Sequence, residues 1–511
     1  MNDFHRALRR WSMLSGVLLV IAPLLAHGQS CEDWIHHDFS GIADAPAQLL
    51  EAETVAATDP VPAYCRLRGY VHPNIGIELR LPADDWNGGF FYAGCTGHCG
   101  IGPGTPWADE CNYPLEKGYA CVVSDMGHRA GGGDGLWAWR NLEAKVNFAY
   151  RATHRTTVAG KAITEAFYGR EPRRSYFMGC STGGRQGLIL AQRFPWHFDG
   201  IIVGAPVVSQ AGTSVDFIWN LQHLSDEDGR RVLGASELEL LHEAALAAAD
   251  AAGVLVDGVI EDPAAVRPDP HALVCQGDRR SDCLTPAQAE AAARVYAGPH
   301  DADGKPLYPG AGLYPGSEHG WARFMPPDDP EDPRVAGRSG IDSMRYMVTD
   351  WGPDWDYRDF DFEDGDHRRL REGESLYSAS NPDLRAFRDA GGHLLLYQGW
   401  ADPIIAPQNS IDYHASVARA MGGEAAAEAF SRLYMVPGMD HCIGGDGAFA
   451  IDWISVMEAW VEDGEAPEAL DAAHWDGQYD ASSMIRRFPF ADGEPAYRRT
   501  IEPHRDPSPP R

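Results

Sequence analysis

The sequence predicts an α/β fold, a mostly parallel sheet between layers of helix, interrupted by one large insertion. Three observations predict it. Short apolar runs bounded by glycine, such as GFFYAG (89–94), ACVVSDMG (120–127) and DGIIVGAP (199–206), read as buried strands. Helix-like stretches alternate with them, the pattern of a parallel sheet whose crossovers cover both faces. After Pro206 the texture turns to loops dense in Pro, Asp and Gly, and strand-like runs return only at HLLLYQGWADP (393–403) and SRLYMVPGMDHCIGG (431–445).

In chain order, the first segment is not part of that fold. Arg6, Arg9 and Arg10 precede an apolar run from Trp11 to Ala26, and Ala26-x-Gly28 offers small residues for cleavage. Residues 1–28 therefore read as a secretory signal peptide, too short for a membrane anchor, and the mature chain is expected outside the cytoplasm, secreted or periplasmic. All ten cysteines lie beyond it, an even number in an oxidising compartment, so disulfides are expected. A formal net charge of −31 argues against nucleic acid and against anionic membrane surfaces as partners. At 511 residues and 44% hydrophobic composition, the chain can bury a large core and holds more than one domain.

The sheet domain is expected over residues 29–206 and 382–511, with a lid over 207–381. Between the strands at 89–94 and 120–127 runs a Gly/Pro-rich loop carrying Cys95, Cys99 and Cys111, and a helical stretch follows at 147–168. SYFM (175–178) then leads into GCSTGGRQG (179–187), which holds G-x-S-x-G as Gly179, Ser181 and Gly183. A strand before this motif and the helix-spaced GLILAQRF (187–194) after it are the context of a sharp turn that presents a nucleophilic serine. Within the insertion, Glu237 to Ala252 reads as an alanine-rich helix with Ser236 placed to cap it. Trp321, Trp351, Trp355 and Tyr357 read as packing of a loop-rich subdomain, with lining of a substrate pocket the alternative for some. The acidic run 354–366 reads as a solvated face.

Serine is a poor nucleophile at neutral pH without an imidazole to take its proton and a carboxylate to orient that imidazole. The two late strands end in loops offering Asp402 and His441, and Ser181, Asp402, His441 is the chain order of the α/β-hydrolase fold. Asp440 adjoins His441, but neighbouring side chains on a loop diverge. His98, His128 and His154 read as structural. Cys180 precedes the serine and Cys442 follows the histidine; if Ser181 and His441 meet, their cysteines fall within the roughly 5.5–6 Å Cα separation of a disulfide. The oxyanion is expected on the backbone N–H of Thr182, with a second N–H from Gly94-Cys95.

GCSTGGRQG, RFPWHFDGIIVGAP, GWADPIIAP and VPGMDHCIGG together resemble the tannase/feruloyl esterase family, whose mark is a Cys-Ser…Asp…His-Cys constellation joined by a disulfide. The resemblance implies an α/β-hydrolase with an inserted lid, acting on small-molecule esters of aromatic carboxylic acids of the feruloyl, galloyl or terephthalate half-ester type, with no organic cofactor. It also implies pairs Cys31–Cys65 and Cys275–Cys283, and a structural calcium loop in the lid at ADAAGVLVDGVI (249–260). Asp250 and Asp257 match its side-chain ligands and Leu255 and Val259 its carbonyl ligands, but Gly253 stands where a third aspartate belongs. Ala249 and Val266 replace a cysteine pair of that loop. Cys95, Cys99, Cys111 and Cys121 match no pair of the family, and Cys95-x-x-x-Cys99 has a spacing open to zinc. A serine peptidase on the same fold and a non-catalytic binding module are the alternative readings.

Overall fold

The computed structural model describes residues 30–277, 282–308, 312–325, 336–362, 366–475, 485 and 495–505. The segment read as a signal peptide lies outside them. Nine strands form one sheet: β1 (Ala47–Val55), β2 (Tyr64–Val71), β3 (Ile75–Pro82), β4 (Gly89–Ala93), β5 (Ala120–Ser124), β6 (Arg174–Cys180), β7 (Gly200–Gly204), β10 (His393–Gly399) and β11 (Ser431–Val436). Between β7 and β10 the insertion carries a two-strand ribbon, β8 (Leu255–Val256) and β9 (Val259–Ile260). A second ribbon pairs β12 (Leu470–His474) with β13 (Tyr497–Ile501).

The sheet order is β1-β2-β3-β5-β4-β6-β7-β10-β11. β1 to β3 and β5 pair antiparallel, and every pairing from β5 through β4, β6, β7 and β10 to β11 is parallel. The swap of β4 and β5, followed by parallel strands that carry successive loops to one edge, is the α/β-hydrolase arrangement. The antiparallel β1–β3 meander has no clear signature in the sequence. Its outer strand, AQLLEAETV, alternates buried and exposed residues and carries two glutamates, so it lacks the continuous apolar run of a strand covered on both faces.

Alternation along the parallel strands divides the interior in two. Phe90, Tyr92, Phe177, Ile201, Val203, Leu394 and Leu396 face one core, with the helices Ala152–Tyr168, Thr182–Arg193 and Gln408–Met421 packed over them. Phe91, Ala93, Tyr176, Met178, Ile202, Leu395 and Tyr397 face the other, under the helix Trp453–Glu458. A period of two along each strand makes that division.

The described part of the insertion adds no strand to the central sheet. Its helices Gln210–His223, Ala235–Ala252 and Pro286–Ala297 enclose a separate core of Phe217, Leu238, Leu241, Leu284, Trp321 and Phe324. Ser236 does not cap the Ala235–Ala252 helix: Gly234 holds that position, and the Glu237 carboxylate accepts the Gly234 N–H at 2.9 Å. Trp321 is fully buried, and Trp351 and Trp355 are half-buried and pack with tilted rings 4.9 Å apart, so packing accounts for these aromatics.

Five disulfides close among the described residues. Cys31–Cys65, Cys275–Cys283 and Cys180–Cys442 are pairs the sequence led us to expect. The four unassigned cysteines pair as Cys95–Cys99 and Cys111–Cys121, so the zinc spacing is a disulfide.

Candidate active site

Strand β6 ends at Cys180 and the next helix begins at Thr182, so Ser181 alone makes the corner. Its backbone sits at φ 62°, ψ −119°, a conformation costing a side-chain-bearing residue about 1–3 kcal/mol. The surroundings hold it there: its N–H donates to the Gly204 carbonyl at 2.9 Å, and its carbonyl accepts from Arg185 N–H at 3.0 Å and Val207 N–H at 3.2 Å. The motif's glycines are needed for contact. A Cβ on Gly179 would lie 2.7 Å from the Gly183 carbonyl carbon, and one on Gly183 would lie 2.6 Å from the Cys95 carbonyl oxygen.

Asp402 and His441, the candidate acid and base, follow β10 and β11. Asp402 has no exposure, and its carboxylate is fully engaged. Oδ1 accepts the N–H groups of Ile404 at 2.8 Å and Ile405 at 3.0 Å; Oδ2 accepts Gln398 Nε2–H at 2.7 Å and His441 Nδ1–H at 2.8 Å. Gln398 is in turn fixed by the Ser410 hydroxyl, which donates to its Oε1 at 2.9 Å. Nothing in the sequence singled out Gln398, because an amide in mid-strand carries no motif. The Cys180–Cys442 bridge, with Cα atoms 5.9 Å apart, ties the residue before Ser181 to the residue after His441. The Ser181 hydroxyl makes no hydrogen bond among the described residues.

The competing groups are placed elsewhere. Asp440 pairs with Arg323 and with the His441 backbone N–H rather than the imidazole. His98 and His128 pack together, His128 Nε2 donating to the His98 carbonyl at 2.9 Å, and burial pulls both rings down to a pKa of about 4. His154 lies between Asp44 and His197.

The oxyanion donors divide. Thr182 N–H occupies the first position of its helix, where no preceding carbonyl receives it and the helix dipole favours negative charge. Cys95 does not serve as expected: its N–H donates to Gln186 Oε1 at 2.9 Å, and Gly94 N–H donates to the Met178 carbonyl at 2.8 Å. Gln186, one turn along the serine's own helix, takes the bond that the sequence reading reserved for substrate. The next two N–H groups, of Thr96 and Gly97, have no acceptor among the described residues, and the Thr182 hydroxyl holds this loop by donating to the Gly97 carbonyl.

The loop proposed for calcium is held by a different cation. Arg499, from β13, donates to the Val256 carbonyl at 2.7 Å, lies 3.7 Å from the Asp257 carboxylate and pairs with Glu261. Leu255 and Val259 sit in the β8–β9 ribbon, and Asp250 lies on the preceding helix. Ala249 and Val266, in place of the cysteine pair, fill one apolar cluster with Ala245 and Ile260. Among the described residues no three His, Cys, Asp or Glu side chains gather for a metal. A guanidinium beside Asp257 and Glu261, and glycine for the third aspartate, do not fit an ion that needs six to eight oxygens.

A sharp serine turn after β6, with Asp402 and His441 on the loops after β10 and β11, gives the chain the architecture of an α/β-hydrolase. The chain belongs to the tannase and feruloyl esterase family, whose sequence profile matches residues 61–498, and it is a carboxylic ester hydrolase. It is 32% identical to an uncharacterized esterase of Xanthomonas campestris over 95% of this chain and 90% of that one. It is 30% identical to the mono(2-hydroxyethyl) terephthalate hydrolase of Piscinibacter sakaiensis, over 89% and 86% of the two chains. The crystal structure of feruloyl esterase B from Aspergillus oryzae superposes with a TM-score of 0.78 at 27% identity, covering 93% of this chain and 95% of that one.

Proposed function

We propose that the protein is a secreted or periplasmic serine esterase that hydrolyses small esters of aromatic carboxylic acids through Ser181, His441 and Asp402. The observation that carries this reading is the Asp402 Oδ2···His441 Nδ1 contact of 2.8 Å, on a loop bridged to the serine turn by Cys180–Cys442. In the first half-reaction Ser181 Oγ attacks the ester carbonyl carbon, and its proton passes to His441 Nε2. Asp402 holds the imidazole in the tautomer whose Nε2 is free to accept that proton, and stabilises the imidazolium. The tetrahedral oxyanion rests on Thr182 N–H and on an N–H of the Thr96–Gly97 stretch. The carbon–oxygen bond to the alcohol breaks, His441 returns its proton to the leaving oxygen, and an acyl-enzyme remains. Water, deprotonated by His441, repeats the attack and releases the acid.

The family, and relatives named for feruloyl esters and for a terephthalate half-ester, support an aromatic acyl group. Five disulfides among the described residues support an extracytoplasmic location. For the β8–β9 loop we infer that Arg499, rather than calcium, supplies the positive charge.

Purified protein should take a fluorophosphonate label on Ser181 and turn over aromatic esters, and Ser181→Ala should lose both while keeping its Tm. Hydrolysis by Ser181→Ala within about tenfold of wild type, far above the residual left by a lost triad member, would sink the triad. Turnover of peptide amides without aromatic esters would favour a peptidase; absence of labelling, a binding module.

A further inference from the structure

One short turn of the insertion, Glu318–Phe324, lies against both catalytic loops at once. At its middle, Gly320 is pressed so closely on Pro403, the residue after Asp402, that a Cβ would meet the proline ring at 2.4 Å. Near its end, Arg323 grips Asp440, the residue before His441, with a two-pronged ion pair: Nη1 to Oδ1 at 3.1 Å and Nη2 to Oδ2 at 2.8 Å. Asp440 Oδ1 also accepts the His441 backbone N–H at 2.5 Å. The guanidinium is therefore two hydrogen bonds from the backbone of the histidine.

The turn is itself rigidly seated. Trp321 and Phe324 are without exposure, in the insertion's own core. The buried Glu318 carboxylate accepts Tyr296 O–H at 2.6 Å, His242 Nδ1–H at 2.9 Å and the Gly316 N–H. What Arg323 transmits to Asp440 is thus the position of the insertion as a whole. Stability is a poor explanation for the pair: Arg323 is 43% and Asp440 25% exposed, and ion pairs so wetted contribute little to folding. A planar fork on a carboxylate fixes orientation as well as distance, which an ammonium would not.

We propose that Arg323 is a positioning residue for the esterase reaction, holding the His441 loop through Asp440 so that the imidazole faces Ser181. The proposal rests on the Ser181–His441–Asp402 reading. The covalent bridge at Cys442 restrains His441 on one side of the backbone, and the Arg323–Asp440 fork restrains it on the other. Esterolysis is in this way coupled to the seating of the insertion on the catalytic domain.

Arg323→Met keeps the aliphatic stem and removes the fork. It should lower kcat about tenfold, part of the roughly 10²-fold that a 1 Å misplacement can cost, with KM and Tm close to wild type. Arg323→Lys should recover part of kcat, and the double change Arg323→Met with Asp440→Asn should be no slower than Arg323→Met alone. The downfield NMR proton resonance of the Asp402–His441 hydrogen bond should shift or broaden in Arg323→Met. Wild-type kcat in Arg323→Met overturns the proposal, as does a loss matched by a fall in Tm and untouched by lysine, or additive effects of the two changes. Fluorophosphonate labelling separates the levels. If wild type does not label at Ser181, the triad itself fails; if wild type labels and Arg323→Met labels more slowly, the triad stands and the positioning role with it.

Discussion

The loop that carries His441 and the β8–β9 loop that was expected to carry calcium are both crossing points between distant parts of the chain, and they are held in opposite ways. The first is pinned by a disulfide spanning 262 residues and by a carboxylate without exposure, Asp402, that receives four donors. The second is pinned by one arginine, Arg499, on carboxylates of which Asp257 is 77% exposed. Where the proposed proton transfer demands a geometry held to a fraction of an ångström, the chain uses a covalent bond and buried hydrogen bonds. Where it needs only to keep a hairpin against a neighbour, a surface cation suffices.

The sharpest way to break the first loop is at its acid. Asp402→Asn would set an amide N–H against Gln398 Nε2–H or His441 Nδ1–H, forcing the imidazole toward the wrong tautomer. Turnover should fall on the order of 10⁴-fold in steady-state assays. Asp440→Asn should cost far less, and the reverse ranking would move the acid to Asp440.

The bridge comes next. Closing a loop of that span stabilises by roughly 5 kcal/mol at most, less whatever strain and residual unfolded structure remove. Cys180→Ala with Cys442→Ala should nonetheless lose activity out of proportion to its fall in Tm, up to roughly 10²-fold if the loop drifts by about 1 Å. Equal losses in rate and stability, followed by calorimetry and kinetics together, would reduce the bridge to a simple staple.

The second loop yields a smaller effect. Arg499→Met should lower the Tm while leaving kcat intact, and a chelator should leave the wild-type Tm unchanged. A Tm that falls with chelator and returns with calcium would restore the metal reading.

The smallest expected effect also lies in the insertion. Asp216 is buried on the helix Gln210–His223, its Oδ1 lacks a partner among the described residues, and desolvation pushes its carboxyl up to about 7. Between the usual carboxylate range and that value the folded chain keeps a proton the unfolded chain has lost, so stability falls as pH rises through this window. Asp216→Asn should raise the Tm at pH 8 by on the order of 2 °C and leave it unchanged at pH 4. A gain at both pH values would mean the carboxylate's charge is not the cause.

How much of this was legible in the sequence follows from the range over which each feature is specified. The elbow at Ser181 is largely local: strand, glycines and helix are contiguous, and the steric reason for Gly179 is Gly183, four residues on, whereas Gly183 is itself pressed by the distant Cys95 carbonyl. Asp402, His441 and the Cys180–Cys442 pair were legible because strand ends in a parallel sheet converge on one edge, so chain order stands in for geometry. The family resemblance added Cys31–Cys65 and Cys275–Cys283 and implied calcium, but it could not show Arg499, which lies some 240 positions beyond the β8–β9 loop it contacts. Cys95 failed as an oxyanion donor for the same reason: Gln186 is 91 residues away in sequence and 2.9 Å away in space. By itself, then, the sequence determined the layered sheet, the sharp turn at Ser181 and the chain order of the loops that bear Asp402 and His441, consequences of strand periodicity and of the way parallel strands end on one edge. Tertiary structure alone decided which backbone donors stay free for an oxyanion, which cation holds the β8–β9 loop, and that Arg323 reaches Asp440, because polar side chains choose partners by proximity across the fold and leave no periodic trace in the chain.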